Sequence, residues 1–431
     1  MKKEITFTQG LATLVGSVIG AGVFFKIGTI SQQTNSAGLT IFVWILAGFL
    51  SLASGLTIAE VAAELPVNGS IQYLEYTYGS IWGFLFGWAQ IIVYFPAEAG
   101  ASSSILGTQA SNLFGNKIAA LPISLCMITF IFLTNLLGTK FSSKLQSVVT
   151  VIKVIPLILI IIFGLMAPEQ HFSFTGFASK NAVPLVTAIS GGLLSALFAF
   201  DGWVSVTNLA GDLKNPQKDM AKILIWGLGI VTAIYVLVNF VFLKTLPFNS
   251  IYGNQNTAFN TSIKLFGNMG GKLVTIGILI SCYGAANAFM LTGMRAPYIL
   301  AQNNLLPFSH QFKQVNKKTG VPVLGAVTIW LITMAMISLG NFDILTDMLV
   351  FVMWFFTIML TLCQPILRRR KPNLNRPFMV PFYPITPIIA LAGGIFIIIM
   401  TVINQFWLSL IGSGLTVLGL PIYFYKKKQN K

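Results

Sequence analysis

A chain of 431 residues that is 55% hydrophobic and 9% charged, with a mean hydropathy of +0.79, is not a soluble globular protein. Its formal net charge of +16 would suit nucleic-acid binding in a polar chain, but apolar runs of about twenty residues recur along nearly its whole length and leave no room for a separate soluble domain. Cys126, Cys282 and Cys363 all fall in apolar runs, where a buried thiol is expected, and the two histidines, His171 and His310, fall in predicted loops. This pattern argues against a metal site and an intramembrane histidine relay, and no cofactor is expected.

Segments 7–32, 38–63, 81–108, 119–137, 145–166, 183–210, 220–243, 271–300, 321–340, 343–366, 382–402 and 406–425 read as spans. Each can cross a hydrocarbon core of about 30 Å. The expectation is an all-α polytopic membrane protein with twelve transmembrane helices. With both termini inside, 20 of the 27 basic residues fall in cytoplasmic segments, including Lys2, Lys3, Lys140, Lys144, Lys214, Lys218, Lys222, Lys313, Lys317, Lys318, Arg368 to Lys371 and Lys426 to Lys428. Five lie outside: Lys117, Lys180, Lys244, Lys264 and Lys272. Lys26 and Lys153 lie within spans. The positive charge is thus mostly topology, and it predicts a plasma (inner) membrane protein with cytoplasmic N- and C-termini. The first span begins close to Met1 without a small-residue cleavage site, so it is expected to be retained.

The first span contains Gly16-Ser17-Val18-Ile19-Gly20-Ala21-Gly22-Val23-Phe24. Each glycine in a helix interior costs about 1 kcal/mol relative to alanine. A broken helix is tolerated in a bilayer only where its freed backbone groups face protein or water. The glycines therefore suggest a midplane site of bare amides and carbonyls, although Gly16/Gly20 is also a small-residue packing pair. Glu60, near the inner end of the second span, is either a proton-titrating acid or a structural, wetted carboxylate; the position suits the second. Pro66 and Gly69 mark a turn after it. Pro96 interrupts the long third span, and Glu98 follows near its outer end, lining a vestibule or simply standing at an exposed helix end.

Lys153 lies about 12 Å along the fifth span from Leu145, among Val151, Ile152, Val154 and Ile155. A lysine at that depth usually faces the bundle interior; snorkelling to the inner interface is the alternative. The sixth span repeats the oddity of the first, with Gly191-Gly192 before Leu197-Phe198-Ala199-Phe200-Asp201-Gly202-Trp203. Asp201 reads as a helix-end cap, an amine counter-ion or a proton carrier. The polar stretch Gly211-Asp212-Leu213-Lys214-Asn215-Pro216 follows it. Ser281 and Asn287 are polar positions in the eighth span, Arg295 is a topology charge, and Asp343 and Asp347 begin the tenth at the outer face.

Two interrupted spans at corresponding places in two runs of five point to an inverted-repeat transporter with a midplane site. A half-helix N-terminus offers N–H donors and partial positive charge to a carboxylate. Carbonyls at the other broken ends suit an ammonium group, so the pair can hold a zwitterion without a buried charged side chain.

The stretch Gly16 to Phe24 resembles the first-span motif of the amino acid–polyamine–organocation (APC) transporters. Glu60 followed by Leu65-Pro66-Val67-Asn68-Gly69-Ser70-Ile71-Gln72-Tyr73-Leu74 resembles that superfamily's second-span signature. Leu197 to Trp203 with Lys214-Asn215-Pro216 is similar to the sixth-span region of the L-type branch, most nearly its bacterial serine/threonine and alanine/serine/cysteine exchangers. The resemblance implies a five-plus-five inverted repeat (the LeuT-type fold) with discontinuous helices 1 and 6. The first repeat would cover 1–166, the second 183–366, and 382–431 would hold the last two spans and a basic tail. It implies sodium-independent exchange of small neutral L-amino acids. Backbone from Ser17 through Val18, Ile19, Gly20 and Ala21 to Gly22 would receive the carboxylate, and carbonyls around Phe198, Ala199, Phe200 and Asp201 the amine. Phe198 would be an aromatic gate, with Trp203 beside it, and Lys153 would stand in for a bound sodium ion, tying the first span to the eighth. Tyr235 and Ser281 would surround that lysine.

The Ser111–Lys117 loop lacks the cysteine that mammalian relatives use to bond an ancillary glycoprotein, so no disulfide-linked subunit is expected, and the chain is expected to work as a monomer in the lipid bilayer. Asp201 replaces a glycine common in those relatives. Proton symport, with Lys153 releasing its proton, is the competing mechanism, and a polyamine or organocation the competing cargo. Neither a pore ring of charges nor a catalytic constellation is present for a channel or an enzyme.

Overall fold

The computed structural model describes residues 6–65, 69–115, 117–168, 184–204 and 213–429. Pro66-Val67-Asn68, His171, Lys180, Gly211-Asp212 and the amino-terminal Lys2 and Lys3 lie outside them. The described residues form helices and no β-strand. The main helices are α1 (Phe7–Val18), α2 (Gly22–Thr34), α3 (Ala37–Glu64), α4 (Ser70–Tyr78), α5 (Ser80–Ala89), α6 (Phe95–Leu113), α7 (Ala120–Leu136), α8 (Thr139–Ile152), α9 (Val154–Met166) and α10 (Leu185–Ala199). They continue with α11 (Pro216–Thr245), α12 (Thr257–Gly293), α13 (Val323–Leu339), α14 (Phe342–Arg370), α15 (Ile385–Asn404), α16 (Phe406–Val417) and α17 (Gly419–Gln429).

Eight helical stretches among the described residues are long and apolar enough to cross a membrane, α1 with α2 makes a ninth as a bent pair, and α7, α10 and α13 are shorter apolar helices. The breaks have local causes. Pro96 cannot donate to the ladder, and a π-helical turn at Gln90–Tyr94 joins α5 to α6 just before it. Pro156 likewise cannot donate to the Ile152 carbonyl four residues back, and α8 and α9 join at Lys153, whose backbone stays in the right-handed helical region. Thr6 and Gln9 close a capping box at the start of α1, and Ser36 caps α3.

The chain divides into two compact units, each drawn from three separate stretches. One comprises Met1–Gly83, Gln170–Gln255 and Met353–Phe406. In it α3 packs on α11 and α15, α1 on α11, and α2 on α10. The other comprises Phe84–Glu169, Asn256–Val352 and Trp407–Lys431. There α6 is sandwiched by α7, α12 and α13, around Ala99, Ile128 and Ile337. Phe132 stacks on Trp330 at 4.8 Å, and buried Asn135 donates to Asn287, which donates to Gln146, both at 2.8 Å.

Glu60 is fully buried, which corrects the expectation of a wetted carboxylate. Arg368 grips it with two bonds of 2.7 Å, Gln364 donates at 2.9 Å and the Val380 N–H at 2.7 Å. Arg376 pairs with Glu64 at 3.0 Å, and the Arg368 guanidinium lies 3.9 Å from the Tyr383 ring centroid. The cluster pins α3 to the end of α14 and to the connection before α15. Removing one partner of such a pair leaves the other desolvated and uncompensated. Glu60→Ala should therefore cost about 3–5 kcal/mol of stability, read as a lowered unfolding midpoint in detergent. A variant as heat-stable as the parent would show that the cluster contributes nothing.

Candidate functional site

The first break follows Val18. Ile19 turns extended (φ −67°, ψ 107°) while its N–H still reaches the Val15 carbonyl at 3.0 Å, and α2 starts afresh at Gly22 with no side-chain cap. α1 and α2 meet at a bend of 47°. The start of α2 thus presents first-turn N–H groups that have no acceptor within the helix. Ser17 turns its hydroxyl back to the Leu14 carbonyl at 2.9 Å, leaving the break to backbone groups.

The second break follows Ala199. The Asp201 N–H closes on the Phe198 carbonyl at 3.1 Å, Gly202 takes φ +101°, and the chain is helical again at Trp203. A side chain at Gly202 would be strained by that φ and would bring a Cβ within 2.8 Å of the Ser17 carbonyl. A Cβ at Gly22 would lie 2.6 Å from Ala199 Cα. The two breaks therefore lie against each other with no room for side chains at the crossing.

Tyr235, fully buried on α11, joins them: its hydroxyl is 2.9 Å from the Val18 carbonyl and 2.9 Å from the Ala199 carbonyl. One hydroxyl has one proton to give, so the two carbonyls share it. Its ring sits with Trp44 and Phe200, at centroid separations of 5.5 Å and 5.1 Å. The Phe200 side chain thus belongs to this aromatic cluster, leaving only its backbone at the break. Trp203 is buried against Gly55 of α3. Phe198 is buried too, with the Lys26 ammonium 5.7 Å from its ring centroid, and Asp201 is half-buried.

Ser17 to Gly22, Phe198 to Asp201, Trp203 and Tyr235 are thus brought together in one unit. Lys153 and Ser281 belong to the other, where both are buried. There Gly284 packs on Val149 and Gly277 on Pro156, an antiparallel register that sets Ser281 level with Lys153. The Ser281 hydroxyl makes no hydrogen bond with another described group.

Glu98 is only 3% exposed, so the exposed-end reading fails; Asp347 is buried too. Cys126 faces outward from its helix, unlike Cys282 and Cys363, and exposed His310 sits in a short helix, Ser309–Phe312, not a loop. Sequence reasoning noted Lys26 only as lying within a span, without a role, and passed over Trp44. The depth argument applied to Lys153 would have found Lys26, whereas a tryptophan in an apolar span carries no such signal.

A family model described as amino acid permease matches residues 5–423. The chain is 35% identical over 436 residues to the serine/threonine exchanger SteT of Bacillus subtilis, an alignment covering 100% of this chain and 98% of the relative. It is 26% identical to the human cystine/glutamate transporter, over 98% of this chain and 85% of the relative. It is 25% identical to the human large neutral amino acids transporter small subunit 2, over 98% and 80%. With its apolar helices, the chain is a multi-pass membrane protein of a transporter family, not an enzyme, and it belongs to the amino acid permeases of the APC superfamily.

Proposed function

We propose that the protein exchanges small neutral L-amino acids of the alanine, serine, threonine and cysteine class across the plasma membrane, independently of sodium and by alternating access. The observation that carries the reading is the pair of broken helices held together by the Tyr235 hydroxyl. An amino acid brings one carboxylate and one ammonium, and each break offers backbone groups to one of them. The carboxylate is received by backbone from Ser17 to Gly22, at the start of α2. The ammonium is received by carbonyls around Phe198, Ala199 and Asp201, and Phe198 closes over the substrate. The serine/threonine exchanger among the relatives supports both the substrate class and the exchange mode.

We further propose twelve spans, the bent pair counted once and the three shorter apolar helices included, with both termini cytoplasmic and spans 1–5 repeated, inverted, as 6–10; the eight long apolar stretches support this count. Lys153 supplies the fixed positive charge that a sodium ion would otherwise provide, with Ser281 level beside it. The chain works as a monomer without a disulfide-linked partner.

Exchange requires that the empty carrier reorient slowly. Proteoliposomes preloaded with serine should take up labelled threonine many-fold faster than empty ones, with no effect of sodium. Equal uptake into empty and loaded vesicles would contradict exchange, and strong acceleration by an inward proton gradient would establish symport in its place.

Tyr235→Phe removes the one hydroxyl shared by the two breaks. An unsatisfied buried carbonyl costs about 1–3 kcal/mol, so the variant should melt earlier and bind threonine more weakly, as measured by the substrate-induced shift in melting temperature. An unchanged shift would remove Tyr235 from the site.

A further inference from the structure

The breaks recognise the α-carboxylate and α-ammonium, which every amino acid carries, so they cannot choose among side chains. Something near Phe198 must do so. Lys26 is fully buried. It lies one turn past Gly22 on the same face of α2, about 6 Å along the axis from the break.

That face is turned to α10. Gly22 meets Ala199, Gln33 accepts from the Ser195 hydroxyl at 3.1 Å, and Thr34 packs on Gly192, so α2 and α10 run antiparallel. Long helical side chains lean toward their own N-terminus, which carries the Lys26 ammonium back toward the break and over the Phe198 ring at 5.7 Å. Two consequences follow. A fixed positive charge stands beside the partial positive charge of the α2 N-terminus. One face of the Phe198 ring, which would attract a cation, already has one over it. An ionisable residue this deep in a span is expected to carry function.

We propose that Lys26 is a specificity-determining residue: it makes the side-chain subsite at Phe198 reject cationic side chains and organocations while admitting neutral ones. The proposal rests on the reading of the two breaks as the amino acid site. Homoserine and 2,4-diaminobutyrate have side chains of the same length, ending in a hydroxyl and an ammonium, and they serve as the probe pair. In proteoliposomes, each is tested as a competitor of labelled serine uptake.

In the wild type, homoserine should compete at least tenfold better than diaminobutyrate. Lys26→Met should narrow that ratio to about threefold or less, whatever its absolute rate, and Lys26→Arg should preserve it, which a purely structural role would not predict. If Lys26→Met does not insert, Lys26→Gln carries the same expectation. Equal competition in the wild type, or an undiminished ratio in a transporting Lys26→Met or Lys26→Gln variant, would overturn the proposal. Absence of uptake of any amino acid would overturn the transport reading, and this proposal with it.

Discussion

In hydrocarbon a peptide group that leaves a helix has no water to turn to, and an unmet N–H or carbonyl there costs several kcal/mol. A membrane helix can therefore be broken only where another part of the protein takes over its hydrogen bonds. Here the two breaks lie against each other, with Gly22 on Ala199 and Gly202 on Ser17. The Tyr235 hydroxyl stands between the Val18 and Ala199 carbonyls. The close approach explains why glycine occupies both crossing points, and the tyrosine explains why the opened carbonyls are tolerated. Because a single proton is shared by two acceptors, the arrangement is polar but not saturated. An incoming ammonium group would find acceptors there, while the start of α2 offers donors to a carboxylate.

Besides Lys26 over Phe198 and Asp201 at the second break, this unit buries a charged cluster around Glu60. Glu60 is surrounded by Arg368, Gln364 and the Val380 N–H, a set of donors that leaves the carboxylate well satisfied and ties α3 to the end of α14. Such a cluster contributes rigidity and specificity of packing more than net stability, since desolvation offsets much of the attraction. A rigid support of this kind suits a binding site made of backbone, whose geometry is only as good as the helices that carry it. The second unit is built on the same economy of buried polarity: Asn135, Asn287 and Gln146 form an amide chain, and Lys153 is buried at the α8–α9 junction, just before Pro156 withholds a donor.

Both breaks were legible in the sequence because glycine is costly in a helix and leaves a compositional mark. Tyr235 was not legible from spacing, because a tyrosine in an apolar span reads as packing until its carbonyl partners are seen. Glu60 was misjudged because depth alone suggested wetting, while its partners Arg368 and Val380 lie some three hundred residues away. Cys126 was placed in the interior because lipid is as apolar as a protein core, so hydropathy does not separate the two faces of a span. The π-helical turn was anticipated only as an interruption at Pro96; the missing proline donor was visible, the five residues that absorb it were not.

The central claim is that backbone at two broken helices binds both ends of a zwitterion. Thermal stabilisation of the purified protein by serine, serinamide and N-acetylserine tests it most directly, because each analogue deletes one of the two charges and keeps the side chain. Serine should stabilise the protein, while each analogue should do so at least about a hundredfold more weakly, a loss of ~2.7 kcal/mol. Stabilisation by serinamide or N-acetylserine at serine concentrations would contradict the account.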